Sequence, residues 1–148
     1  MRAVLTRVTE ASVTVESNVK GAIDQGFLVL LGVHQEDTVE QAVKLADKIC
    51  GLRIFTDENS QMNLSLADVG GKLLVISQFT LYGNCKKGRR PEFLSAARPE
   101  TAIPLYERFI AECEAKGFQV ETGEFGAKMQ VHSVNDGPVT LMLDTEAL

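Results

Sequence analysis

The period of the hydrophobic pattern changes along this chain, and this change constrains the fold more than any other feature. Apolar residues recur at helical spacing in only two stretches, residues 37–52 and 101–116. The other apolar stretches are short runs or alternate with polar residues, which is typical of β-strands. Two helices are too few to cover both faces of a large parallel sheet. The pattern therefore predicts an α+β fold, in which two main helices pack on a curved, mostly antiparallel sheet or barrel.

Seven stretches are predicted to form the strands of this sheet. They are residues 2–15, 22–33, 52–55, 72–82, 118–122, 128–134 and 139–144. We expect a turn at 17–21, a bulge at Gly26 and a polar connection at 56–63. Gly137-Pro138 interrupts the pattern between the last two stretches, because proline cannot donate to a ladder and glycine weakens a strand.

Capping residues mark the ends of both predicted helices. Thr38 and Gln41 fit a capping box before the first helix, and Gly51 fits its C-terminal stop. Pro104 is expected in the first turn of the second helix, where its missing N–H costs little, and Gly117 is expected to end that helix.

Length and composition indicate a soluble globular protein. The 148 residues suffice for one domain, 1–148, and 45% of them are hydrophobic. No apolar run reaches the roughly 18 residues of a membrane span, and the first residues lack the apolar segment of a secretory signal. A cytoplasmic protein without a membrane partner is therefore expected. Cys50 and Cys113 lie on the apolar faces of the helices and are predicted to be core residues.

The net charge of −5 argues against a protein that coats nucleic acid without specificity. One local exception is "KKGRR" at residues 86–90, which places four positive charges in five residues. Taken alone, this stretch is predicted to be a solvated loop.

The usual signatures of catalysis and cofactor binding do not occur in this sequence. The two histidines, His34 and His132, have no sequence neighbours that indicate a triad, and no G-x-S-x-G elbow is present. Residues 57–59 resemble a cation loop only weakly, because the glycine and the distal glutamate of such a loop are missing. No G-x-G-x-x-G follows a strand. We therefore expect neither a metal nor another cofactor.

Two stretches carry polar or turn residues where the pattern predicts strands. "SQFTL" at 77–81 ends an apolar strand, and a period of two would place Gln78 and Thr80 on the same face. "NDGPVT" at 135–140 consists largely of turn residues. Each stretch by itself is explained by a strand edge or by a turn.

Together the two stretches, with the basic loop between them, resemble the D-aminoacyl-tRNA deacylase family. The opening "MRAVLTRVTEASVTV", "FLVLLGV", "LRIFTDE", "MNLSLADVGGKLLVISQFTLY", "PLYERF" and "ETGEFGAKMQV" resemble it in the same order. The resemblance covers nearly the whole chain as one such domain. It implies an ester hydrolase that removes D-amino acids, and also glycine, from mischarged tRNA. It also implies a homodimer of small α+β barrels with active sites at the subunit interface.

The resemblance assigns the active site to the two stretches. Ser77, Gln78, Phe79 and Thr80 form one wall, and Gly137-Pro138 of the other subunit, joined by a cis peptide bond, is inserted into it. Backbone carbonyls there would bind the substrate's α-ammonium and exclude L-residues, whereas glycine would pass. Backbone N–H groups near Phe79 would hold the oxyanion, and the substrate's ribose 2′-hydroxyl would assist the attacking water. Gln78 would position the substrate; Thr80 remains the rival catalytic group.

Further residues are assigned to supporting roles by the same resemblance. Arg7 is expected to brace the Gly-Pro segment, and the basic loop is expected to contact tRNA phosphates. The remaining substrate-binding candidates are Asn135, Thr140, Phe125 and Met129, and the tRNA-binding candidates are Lys86, Lys87, Arg89 and Arg90.

Two alternatives remain open at this point. A sister enzyme of the same fold removes L-alanine from mischarged tRNA, but it departs from the "SQFT" motif that this chain retains. A non-enzymatic, dimeric nucleic-acid-binding module would explain the basic loop, although the net charge of −5 and the lack of aromatic stacking motifs disfavour it.

Overall fold

The first strand organises the sheet of this protein, whose computed structural model describes all residues, 1–148. Strand β1 (Arg2–Val15) is long enough to pair with three other strands, all of them antiparallel to it. Strand β8 (Gln130–Asp144) runs along one edge of β1. On the other edge, β3 (Gly26–Gly32) pairs with the first half of β1 and β2 (Asn18–Ile23) pairs with the second half.

Two parallel strands extend this sheet beyond β3. Strand β6 (Lys72–Ser77) pairs with β3, and β7 (Val120–Thr122) pairs with β6. A separate short hairpin consists of β4 (Phe55–Thr56) and β5 (Met62–Leu64). The sheet curves into a nearly closed barrel, so that the predicted α+β architecture with a mostly antiparallel sheet is confirmed.

The two helices provide the crossovers that the parallel strands require. Helix α1 (Val39–Gly51) lies between β3 and β6, and α2 (Pro99–Ala115) lies between β6 and β7. The side chain of Gln41 accepts a hydrogen bond from the backbone N–H of Thr38 at 2.7 Å, as the capping box predicts. No helix of the protein is both long enough and apolar enough to cross a membrane.

Buried aliphatic and aromatic side chains fill the space between the sheet and the helices. Full burial of one such side chain contributes about 1.5–3 kcal/mol, so this core dominates the stability of the fold. Cys50 of α1 and Cys113 of α2 are both buried, with their sulfur atoms 3.6 Å apart, which confirms their assignment to the core. The largest fully buried side chains are those of Phe27, Phe109, Met1, Leu5, Leu31 and Leu45.

Several predicted element bounds were wrong for local reasons. The turn expected at 17–21 is a tight turn at Glu16 and Ser17, both of which have positive φ, and β2 begins directly after it. Gly26 forms no bulge, since the β1–β3 register is regular there. Glycine is required here because the backbone of β6 approaches closely. A Cβ at this position would lie 1.9 Å from the carbonyl oxygen of Lys72.

The ends of two other predicted elements also differ. Of the predicted strand at 52–55 only Phe55 is in a strand, and its partner is β5, which begins within the polar connection predicted at 56–63. Helix α2 begins two residues earlier than predicted, because Pro99 supplies a suitable first position. Pro104 therefore lies inside the helix rather than in its first turn.

Candidate active site

The "SQFT" stretch leaves the sheet instead of continuing β6. The strand ends at Ser77, and residues Phe79–Tyr82 form a turn of 3₁₀-helix, so the prediction of a strand to residue 82 was wrong. The N–H of Gln78 still donates to the carbonyl of Leu31 at 2.8 Å, which anchors the start of the turn on β3. The turn carries Phe79 and Thr80 to the surface, where both are exposed.

The turn also exposes the groups that could hold a negative charge. The first N–H groups of a helical turn have no partner within it, and in this turn they belong to Phe79 and Thr80. The side-chain amide of Gln78 donates to the hydroxyl oxygen of Thr80 at 2.5 Å. The two side chains are thus neighbours, as the sequence predicts. They are brought together by the turn, however, and not by the alternation of side chains along a strand.

The Gly137-Pro138 segment projects from the edge of β8. Thr140 lies opposite Thr6 and Asn135 lies opposite Val8, so the four residues 136–139 of β8 face a single residue of β1. Glycine and proline are tolerated here because β8 pairs with β1 alone, and the segment needs no ladder bonds. The Gly137-Pro138 peptide bond is cis, as the family resemblance implies.

Arg7 is the single β1 residue opposite this projection, and it holds the base of the segment. Its side chain is only 8% exposed, and its Nε donates to the carbonyl oxygen of Asp136 at 3.1 Å. The same nitrogen lies 3.1 Å from the carboxylate Oδ2 of Asp136, and Nη1 donates to the carbonyl of Ile54 at 2.6 Å. From the other side, the amide of Asn135 donates to the carbonyl of Arg7 at 3.2 Å. These contacts fix the position of the exposed Gly137 and Pro138.

The two motifs lie far apart within one chain. Ser77 is opposite Leu31 of β3, and the same row of the sheet ends at Leu143 of β8. Three strand spacings therefore separate Ser77 from β8, which is about 14 Å. Gly137 and Pro138 project opposite Arg7, four residues along β1 from this row, which adds about 13 Å along the strands. A site that contains both motifs cannot be assembled from neighbouring positions of a single sheet.

The other predicted substrate-binding residues lie at various depths. Phe125 is half-buried and packs edge-on against Tyr106, with their ring centroids 6.0 Å apart. Met129 is half-buried against a cluster of core residues, and Thr140 is exposed beside Thr6. None of the three contacts the turn after β6 by hydrogen bond or ring contact.

The predicted basic loop is a hairpin with a fixed base. Asn84 and Glu92 form two reciprocal backbone hydrogen bonds, of 2.8 and 3.0 Å, and thereby close the loop. All four basic side chains on it are exposed, and none of them forms an ion pair. We refer to residues 84–92 as the basic hairpin. Its cations are free to bind an anionic partner.

Comparison with known proteins places the chain in a family. The family model described as D-Tyr-tRNA(Tyr) deacylase matches residues 4–144. A curated relative from Koribacter versatilis is 60% identical over 99% of this chain and 98% of its own length. One from Exiguobacterium sibiricum is 62% identical over 97% of this chain and 99% of its own length. The chain belongs to the D-Tyr-tRNA(Tyr) deacylase family. Both relatives are named D-aminoacyl-tRNA deacylase, a hydrolase that acts on ester bonds.

Two solved structures share the fold of this chain. One, titled "c-Myc DNA Unwinding Element Binding Protein", is 41% identical and covers 97% of this chain and 98% of its own, with a TM-score of 0.90. A second, titled as a probable eukaryotic D-amino acid tRNA deacylase, is 19% identical and covers 96% of this chain and 97% of its own. Its TM-score of 0.83 shows a shared fold.

Sequence reasoning missed one part of this deacylase's candidate site. Phe93, which follows the basic hairpin, packs edge-on against Phe79, with ring centroids 5.3 Å apart. A signal was present in the sequence, since "FL" at 93–94 places two apolar residues in an otherwise polar loop. His34 accepts a hydrogen bond from the N–H of Glu36 and packs edge-on against Tyr82.

Proposed function

We propose that this protein hydrolyses the ester bond between a D-amino acid and the 3′ end of tRNA, and releases D-amino acid and free tRNA. The observation that carries the proposal is the turn at the exposed residues Phe79 and Thr80, whose N–H groups have no partner within the turn, in the "SQFT" motif of a chain of this family. Free backbone donors of this kind can stabilise the oxyanion that forms when water attacks an ester. Since aminoacyl-tRNA is made in the cytoplasm, we place the activity there.

Two subunits complete each site in this proposal. The "SQFT" wall and the Gly-Pro projection are too distant to meet within one chain, whereas a second protomer can bring its projection to the wall. Strand β8 has a free edge, and its exposed surface contains four large apolar side chains. They are Val131, Val134, Leu141 and Met142. Exposed apolar side chains along a free strand edge are typical of an interface between subunits.

The Gly137-Pro138 segment acts as the chirality filter in this proposal. Carbonyl oxygens of the projection would accept hydrogen bonds from the substrate's α-ammonium and leave room for a side chain in the D-configuration only. An L-residue in the same position would drive its side chain into backbone oxygen, so selectivity comes from exclusion. Glycine has no side chain to exclude, and glycyl-tRNA would therefore also be hydrolysed. The contacts of the buried Arg7 side chain with Asp136 support the proposal, because a filter must be rigid.

The chemistry is assigned to water and to the substrate itself. Thr80 is a poor nucleophile here, because its hydroxyl is hydrogen-bonded to the amide of Gln78, which is not a base. The neighbouring 2′-hydroxyl of the terminal ribose would orient or activate the water, while the protein positions the ester. Gln78 and Ser77 support the geometry of the turn.

Deacylation of D-Tyr-tRNA and L-Tyr-tRNA by the purified protein tests the proposal. We expect rapid hydrolysis of the D-form and none above background for the L-form. In a Pro138→Ala variant we expect hydrolysis of L-Tyr-tRNA to appear, and a variant that still spares it would refute the filter. A substrate that ends in 2′-deoxyadenosine should react far more slowly. Undiminished cleavage of that substrate would instead favour Thr80.

One observation favours a second candidate function. A solved structure that is 41% identical to this chain has a title that names a DNA-unwinding-element-binding protein. The basic hairpin would suit such a role as a nucleic-acid-binding module. Binding of tRNA or DNA without turnover of any D-aminoacyl ester would support this alternative.

A further inference from the structure

Two aromatic rings meet at the base of the basic hairpin, and we call Phe79 and Phe93 the aromatic pair. Their ring planes are inclined by 73°, with centroids 5.3 Å apart. Phe79 belongs to the turn after β6, and Phe93 follows directly after the hairpin. The pair therefore lies between the turn that carries the candidate oxyanion-binding N–H groups and the basic hairpin.

The aromatic pair is held in place by its surroundings but is not buried by them. A Cβ at Gly83 would lie 3.0 Å from Cε1 of Phe93, so the ring packs closely on the turn. The two backbone hydrogen bonds between Asn84 and Glu92 fix the chain that leads into Phe93. Nevertheless, 55% of Phe79 is exposed, and 81% of the adjacent Leu94. A rigid and exposed ring surface is suited to binding a ligand.

The charges on the basic hairpin indicate the kind of ligand. Four cations without ion-pair partners lie on this hairpin, which precedes Phe93 in the chain. Single-stranded nucleic acid is bound by this combination, in which bases stack on aromatic rings and cations bind the backbone phosphates. A purely apolar partner would not need the cations.

We infer that the aromatic pair is a stacking site for an unpaired nucleobase of the tRNA 3′ end. The inference rests on the proposed function, in which the backbone N–H of Phe79 holds the ester on the terminal ribose. The ring of the same residue then lies within one nucleotide of the ester. Stacking there would fix the path of the 3′ end from the ester toward the hairpin. Phe93 is a positioning residue in this scheme, since it orients the ring of Phe79 and extends the platform.

A thermodynamic cycle between protein and RNA tests the inference. The probe is an acceptor-stem minihelix that carries no amino acid. Its unpaired 3′ end is either intact or lacks one base. Phe93→Leu removes the ring but keeps an apolar side chain, and Phe93→Tyr keeps the ring. Phe118→Leu is the matched control, because Phe118 is also half-buried but precedes β7, next to the opposite end of β6.

We expect Phe93→Leu to weaken binding of the intact minihelix about tenfold, as loss of one stacking contact would. For one of the minihelices that lacks a base, wild type and Phe93→Leu should bind equally, since the stacking partner is already absent. Phe93→Tyr and Phe118→Leu should bind as the wild type does. With D-Tyr-tRNA, Phe93→Leu should raise KM and leave kcat within about twofold.

Three outcomes would overturn the inference. They are equal binding by Phe93→Leu and wild type, equal loss of affinity for every minihelix, and a change of oligomeric state in Phe93→Leu, which would show that a second copy covers the rings. A different result would contradict the proposed function. A protein that shows the base-dependent cycle but hydrolyses no D-aminoacyl ester retains the stacking site and loses the enzymatic assignment.

Discussion

At single residues, the clearest constraint is the lack of a side chain at Gly26, which allows the parallel strands β3 and β6 to pair. Gly26 lies opposite Lys72, where a Cβ would come within 1.9 Å of a carbonyl oxygen. We expect Gly26→Ala to lower the free energy of unfolding by about 3 kcal/mol, because the β3–β6 pair must separate. Gly51→Ala is the control, since nothing lies within 4 Å of its Cβ, and it should raise stability by about 0.5 kcal/mol. Urea unfolding of both variants measures the difference, and equal stabilities would contradict the steric account.

A second residue-scale prediction concerns the buried hydroxyl of Tyr106. It donates to the carbonyl of Val75 at 2.8 Å, and burial raises the pKa of this phenol to about 12. Because this pKa is higher in the folded than in the unfolded state, the protonated hydroxyl makes its full contribution to the free energy of unfolding below pH 10. This contribution is lost as the pH rises toward 12. The stability advantage of wild type over Tyr106→Phe should therefore be constant from pH 7 to 9 and shrink between pH 10 and 12. Denaturant midpoints across this range provide the measurement, and a constant difference would show that the phenol titrates normally.

At the scale of the element, the basic hairpin should carry the salt dependence of tRNA binding. Lys87→Gln/Arg89→Gln removes two exposed cations from it. We expect the slope of log affinity against log salt to fall in magnitude by about 1.4, since each lost single-strand phosphate contact removes about 0.7. The control Lys20→Gln/Lys48→Gln changes the net charge equally on β2 and α1 and should leave the slope unaltered. Binding isotherms at four salt concentrations give the slope for each variant. Equal slopes in the two variants would show that net charge, and not the hairpin, sets the salt dependence.

For the molecule as a whole, the exposed apolar side chains of β8 are expected to hold two protomers together. Met142 is 77% exposed on this strand. Met142→Asp would place a carboxylate in an apolar interface, and we expect it to shift the protein from dimer to monomer and to abolish D-Tyr-tRNA hydrolysis. Val39→Asp, at an exposed apolar position that begins α1, should change neither property. Light scattering coupled to size exclusion measures the mass, and an active monomer would contradict the shared site.

Mixed dimers test whether the Gly-Pro projection works across the interface. One subunit carries Pro138→Ala and an intact wall, and the other carries Gln78→Ala/Thr80→Val with an intact projection. In an excess of the second variant, nearly every intact wall faces an intact projection. We therefore expect hydrolysis of D-Tyr-tRNA to continue while the hydrolysis of L-Tyr-tRNA disappears. Persistent hydrolysis of the L-form would show that wall and filter belong to the same chain.

From the amino-acid sequence we could predict the fold class, the two helices, the core cysteines and the motifs that identify the family. These features depend on spacing along the chain, because hydrophobic period and capping residues act within a few positions of one another. The end of β6 could not be predicted in this way, since apolar Phe79 and Leu81 continue the strand pattern. The turn is fixed instead by the backbone of β3, through the bond from Gln78 to Leu31.

The position of the two motifs relative to each other depends on contacts between distant parts of the chain. Strand register places the "SQFT" turn and the Gly-Pro projection at distant points of one sheet. It also places Arg7 beneath the projection and Phe93 against Phe79. Such pairings join residues that are far apart along the chain, and they depend on sheet order and packing, which no local pattern encodes. The motifs identify the family, whereas the packing of the strands separates the two motifs within one chain.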